Sequence, residues 1–148
     1  MDGARGTARG VYSPAPGAAT ARRIDHVGLV VRDADAAAAT WSTRFGLAVS
    51  QDWYSPDRTF RLVYLEAGDT TVQLVQPLGP GPAKEFLDAR GEGLHHICFV
   101  VDDVASAAAA SEPGIDVATA IGGRGTRVCF LKHLIAGVLV ELTESPLH

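Results

Sequence analysis

Two stretches of the chain carry the same pattern of apolar and polar positions. Residues 24–39 read IDHVGLVVRDADAAAA and residues 94–109 read LHHICFVVDDVASAAA. They align without gaps at an offset of 70, which sets His26 on His96, Val30-Val31 on Val100-Val101 and Asp33 on Asp103. In each stretch a short apolar run predicts a strand, an Asp-containing turn follows, and an Ala-rich segment predicts a helix. Asp33 and Asp103 suit the N-cap, where a carboxylate accepts otherwise unpaired amide protons.

The repeat continues past the helices. Gly46 ends the first helix, 47–50 reads as extended, and strands are predicted over 60–67 and 70–76. The turn Gly68-Asp69 makes those two an antiparallel pair. In the second half the helix ends near Pro113-Gly114, and strands are predicted over 115–118, 126–131 and 137–143. Residues 78–93 connect the halves through a Gly/Pro turn and a short helix over 83–90. Each half thus reads β-α-β-β-β. The expected fold is α+β: two tandem βαβββ modules, 24–77 and 94–144, form a curved β-cleft within one domain, 24–144. One such module leaves a sheet face bare, and pairing two covers it or closes a cleft.

Composition narrows the partners. The 148 residues hold 13 Lys+Arg and 17 Asp+Glu, a net charge of −4. That balance lacks the basic stripe a nucleic-acid protein needs. No apolar run of about 18 residues is present, so no membrane span is expected. Residues 1–23 are rich in Gly, Ala, Pro and Arg and read as a disordered tail without the apolar core of a secretory signal. A cytoplasmic location follows as an expectation. Cys98 and Cys129 cannot build a disulfide framework or a four-cysteine zinc site, and buried free thiols are expected.

Four polar residues interrupt the apolar strands at matching places. By alternation, Val27, Leu29 and Val31 face the helix, and His26 faces the concave side of the sheet. His96 takes the equivalent position, and alternation turns His95 the other way. Gln73 lies between Val72 and Leu74, and Glu141 between Val140 and Leu142, at an offset of 68. A buried Glu without a partner costs several kcal/mol. Two imidazoles, a carboxylate and an amide oxygen converging on one point resolve that cost by holding a divalent cation. Nitrogen and oxygen donors with open positions suit Co, Mn, Ni, Zn or Mg. Gly122-Gly123-Arg124-Gly125 lacks the Lys-Ser/Thr of a phosphate loop and reads as a turn before a strand.

These residues carry a family resemblance. The segments IDHVGLVVRDADAA, GDTTVQLVQPLG, FLDARGEGLHHICFVVDD, IGGRGTRVCFL and GVLVELTE stand in order from 24 to 144. Together they resemble the vicinal oxygen chelate superfamily of glyoxalases and extradiol dioxygenases, and most of all its methylmalonyl-CoA epimerases. The resemblance implies His26, Gln73, His96 and Glu141 as metal ligands. It also implies an epimerase that removes and returns a proton at a carbon α to a carbonyl, through a metal-stabilised enolate. Glu141 is implied as one base, and Asp57, in the loop before a strand, as the second. The implied partner is a small carbonyl substrate, either a methylmalonyl-CoA-like acyl-CoA or a non-CoA ketone such as a valiolone-type cyclitol. A homodimer or a closed monomer is implied. The rival readings are a glyoxalase-like isomerase or dioxygenase on the same metal, and a small-molecule-binding protein without turnover.

Overall fold

The computed structural model of the protein describes residues 20–145. The expected tail therefore lies outside the described residues up to position 19. Its last residue, Arg23, opens the sheet, and Arg22 is tied to it. The Arg22 amide donates to the Val100 carbonyl at 2.8 Å, and β1 runs Arg23–Val30.

The remaining elements follow in chain order. They are α1 (Ala34–Phe45), β2 (Ala48–Tyr54), β3 (Phe60–Ala67), β4 (Thr70–Pro77), α2 (Pro82–Arg90) and β5 (Gly93–Val100). Then come α3 (Val104–Ser111), β6 (Ala120–Ile121), β7 (Arg127–Phe130) and β8 (Leu139–Thr143). Both predicted caps form: the Asp33 side chain accepts from the Ala36 amide, and that of Asp103 from the Ser106 amide. Gly46 ends α1 in the left-handed region at φ 69°, which glycine enters without a Cβ clash.

All eight strands join one sheet in the order β2-β3-β4-β1-β5-β8-β7-β6. Within the first half β1 and β4 run parallel, and within the second half β5 and β8 do. The halves meet where β1 and β5 pair antiparallel. The paired-module expectation therefore holds, with the repeat expressed as a two-fold relation about the β1–β5 seam.

Helices α1 and α3 cover the outer face. Leu29, Val31, Ala34, Ala38, Val63, Leu65 and Leu74 form one core beneath α1. Val101, Val104, Ala107, Cys129, Val140 and Leu142 form its counterpart beneath α3. A third cluster of Val30, Leu62, Tyr64 and Val75 lies on the inner face, against Phe86 and Leu87 of α2. Both cysteines are buried and unbridged.

Two local expectations are corrected. Residues 115–118 form no strand, and pairing begins only at Ala120–Ile121. Apolar content alone does not make a strand where no neighbour supplies ladder hydrogen bonds. Conversely, β2 extends through Asp52, Trp53 and Tyr54, a stretch whose aromatic run reads as loop as readily as strand. Its register on β3 pairs Trp53 with Leu62 and Tyr54 with Arg61.

Candidate metal centre and cleft

The inner face of the sheet forms a cleft of about 480 Å³. Its walls are largely apolar, with Trp53, Phe60, Leu62, Val75, Ile121, Val128, Phe130 and Leu139 among them. His26, Gln73, His96 and Glu141 all line it, and all four are buried. They come from β1, β4, β5 and β8, the four central strands of the sheet.

Three of the four crowd to one point. The Nε2 of His26 stands 3.1 Å from that of His96 and 2.9 Å from Glu141 Oε1. The second contact is short but not aligned as a hydrogen bond, so Glu141 Oε1 is a buried oxygen without a hydrogen-bond partner. Ligand atoms of His26, His96 and Glu141 all lie within 4.8 Å of one another. An unpartnered buried carboxylate oxygen facing two imidazole nitrogens is costly in an apolar wall, and a cation removes that cost. The donor set therefore fits a divalent metal ion. Gln73 lines the same cleft, with its Nε2 donating to the Tyr64 hydroxyl at 3.1 Å.

Each imidazole is held from behind. The Nδ1 of His26 donates to Asp25 Oδ2 at 2.7 Å, and that of His96 lies 2.8 Å from the Nδ1 of His95. Fixing the far nitrogen sets the ring orientation and leaves Nε2 for a ligand. Burial lowers the His26 pKa, but the carboxylates of Asp25 and Glu141 outweigh it and leave the value raised. Without another cation, the cluster draws a proton. His96 behaves oppositely. Burial, then the neighbouring His26 and His95, push it down to about 2, so it presents a neutral lone pair.

Alternation alone misses Asp25 and His95, and it turns His95 away from the cleft. Both line the cleft because the β1–β5 register shifts twice, between Ile24 and His26 and between Gly28 and Leu29. The second shift leaves His95 without a partner, opposite the step. A bulge inserts an extra residue and lets neighbours share a face. The doublets Asp25-His26 and His95-His96 are its trace in the sequence, but doublets occur in unbulged strands too.

The cleft also depends on a close approach. A Cβ built on Gly28 would lie 2.0 Å from His96 Cε1 and 2.4 Å from its Nδ1. Gly28 and His96 are cross-strand partners, so the ring lies over the glycine backbone. The 122–125 turn between β6 and β7 closes the far side, as a turn and not a phosphate loop. Gln51 Nε2 donates to the Gly123 carbonyl at 2.8 Å, and Arg124 bonds Asp25 at 3.3 Å and Thr71 Oγ1 at 2.7 Å.

Asp57 is not among the residues that line the cleft. Its Oδ1 accepts from Ser55 Oγ at 2.8 Å, Thr59 N at 3.1 Å and Thr59 Oγ1 at 2.8 Å, which ties the turn between β2 and β3. The structure thus brings His26, His96 and Glu141 together, sets Gln73 in the wall of the same cleft, and leaves Asp57 outside it. His133 is exposed on the loop before β8, its amide donating to Glu112. Among the described residues no helix is long and apolar enough to cross a membrane.

Comparison with known proteins agrees with this fold. The sequence model of the Glyoxalase/Bleomycin resistance protein/Dioxygenase superfamily matches residues 25–130. An ethylmalonyl-CoA/methylmalonyl-CoA epimerase of Cereibacter sphaeroides is 34% identical over 130 residues, covering 82% of this chain and 97% of its own. The human mitochondrial methylmalonyl-CoA epimerase is 32% identical, over 83% of this chain and 74% of its own. A solved methylmalonyl-CoA epimerase in complex with methylmalonyl-CoA and NH4+ superposes with a TM-score of 0.77 at 30% identity, covering 85% and 96% of the two chains. The repeat and the sheet order are thus those of a known architecture, and the chain belongs to the glyoxalase/bleomycin resistance protein/dioxygenase superfamily.

Proposed function

We propose that the protein is a metal-dependent epimerase acting at a carbon α to a carbonyl, on an acyl-CoA of the methylmalonyl type. The observation that carries this reading is the unpartnered Glu141 Oε1 facing the Nε2 atoms of His26 and His96 at the floor of an apolar cleft. The methylmalonyl-CoA epimerases to which the chain is similar supply the substrate class.

His26, Gln73, His96 and Glu141 would hold the ion. When bound, it supplies Lewis-acid stabilisation of negative charge developing on the substrate carbonyl oxygen. The apolar walls exclude water, which strengthens every charge interaction inside. Asp25 holds the Nδ1 proton of His26, and His95 orients His96. Glu141 would carry the proton-transfer role from the cleft floor, with its Oε1 2.9 Å from His26 Nε2. Asp57 is engaged in its turn, which leaves it no such freedom.

The test is α-proton exchange in D2O, followed by NMR, with metal-loaded protein and a panel of an acyl-CoA and a cyclitol ketone. Exchange with racemisation of the acyl-CoA is expected, and exchange of the ketone alone would move the substrate assignment to the non-CoA class. His96→Ala and Glu141→Gln are each expected to lower bound metal at least about 100-fold, the loss that follows removal of a ligand from a four-donor set. Undiminished metal in both variants would refute the site.

A further inference from the structure

The two halves place different groups behind equivalent ligands. Tyr64 is the cross-strand partner of Gln73, and Phe130 is the cross-strand partner of Glu141. Each ring also stands edge-on to the imidazole of its own half. Tyr64 meets His26 with centroids 6.4 Å apart at 81°, and Phe130 meets His96 at 5.4 Å and 83°. The two aromatic residues therefore occupy one position of the repeat, and differ there by a hydroxyl.

That hydroxyl stands where the chemistry of the ligand calls for it. A carboxylate presents only acceptors, so Glu141 brings no proton to the cleft wall and a phenyl ring suffices opposite it. A carboxamide has one acceptor end and one donor end. To turn its oxygen toward a cation it must bury its NH2 in the wall, and a buried NH2 needs an acceptor. The Tyr64 oxygen is that acceptor, 3.1 Å from Gln73 Nε2. Tyr64 is itself fixed. It is 2% exposed, it carries the Arg124 guanidinium 4.5 Å above its ring centroid, and a Cβ on Gly123 would stand 2.7 Å from its hydroxyl.

Resting on the metal-site reading above, we propose that Tyr64 is a positioning residue: its hydroxyl accepts a hydrogen bond from the Gln73 NH2, so that the amide oxygen faces the cleft as a ligand. The hydroxyl touches no substrate and moves no proton in this role. It acts through Gln73 alone, and the test is built on that.

The experiment measures Co2+ affinity and the visible spectrum of the Co2+ protein for the wild type, Tyr64→Phe, Gln73→Ala and the double variant. Tyr64→Phe keeps the ring on which Arg124 and His26 rest, and a thermal melt checks that each variant folds. The expected loss of affinity is about tenfold for Tyr64→Phe in the wild-type background, the lower end for residues that orient a ligand. In the Gln73→Ala background the same change is expected to alter affinity less than about twofold, because the group it acts through is gone. The Co2+ spectrum of Tyr64→Phe should shift toward that of Gln73→Ala. Unchanged affinity in Tyr64→Phe overturns the proposal and leaves the metal site standing, and so does an equal loss in both backgrounds. Failure of the wild type itself to take up Co2+ in a Glu141-dependent way overturns the site reading and this proposal together.

Discussion

In the first half of the sheet, β4, which carries Gln73, lies beside an eight-residue β3, which in turn pairs with a seven-residue β2. In the second half, the five-residue β8 lies beside a four-residue β7 and a two-residue β6. The repeat is therefore faithful at its centre, where β1 and β5 meet, and frays toward one edge. The chemistry follows the same gradient. His26 and His96 match each other, while Gln73 and Tyr64 stand opposite Glu141 and Phe130 as an unequal pair. Gly28 likewise occupies the repeat position of Cys98, and its missing side chain gives the His96 ring its place. A duplicated frame supplies the convergence of His26, His96 and Glu141; departures from the repeat give Gln73 and Glu141 different neighbours.

Core truncations test the comparison most severely. Leu65 and Leu131 hold equivalent buried positions beneath α1 and α3 respectively, 0% and 5% exposed. Leu65→Ala should cost about 3 kcal/mol and Leu131→Ala about 2 kcal/mol, within the usual range for a buried Leu. Urea unfolding measures both. Equal costs would show that the longer strands of the first half add nothing to its packing. The next effect lies at the seam. Gly28→Ala drives a Cβ into the His96 ring and should weaken Co2+ binding by about tenfold or more. Cys98→Ala at the matching position should change it far less, and parity between the two would break the assignment of Gly28. The smallest effects are the caps. Asp33→Ala and Asp103→Ala remove the same side-chain bond to the third following amide, and each should cost about 1 kcal/mol in a thermal or urea melt. A twofold difference between them would show that α1 and α3 contribute unequally.

The sequence alone determined the repeat, and with it a good deal of the site. Apolar spacing named β1, β5 and the flanks of Gln73 and Glu141, because strand alternation is local and needs no partner to be read. The same locality explains what it missed. Asp25 and His95 reach the cleft through bulges, and a bulge is a property of two paired strands. Asp57 looks available in the chain, yet three hydrogen bonds within its own turn occupy its Oδ1. The strand expected over 115–118 found no ladder partner, while β2 gained one as far as Tyr54. Only the tertiary structure decided which atoms converge, because Nε2 of His26, Nε2 of His96 and Oε1 of Glu141 meet across a seam joining residues 70 positions apart. It alone showed that a tyrosine hydroxyl stands behind the amide and a phenyl ring behind the carboxylate, since cross-strand register cannot be read from either strand by itself.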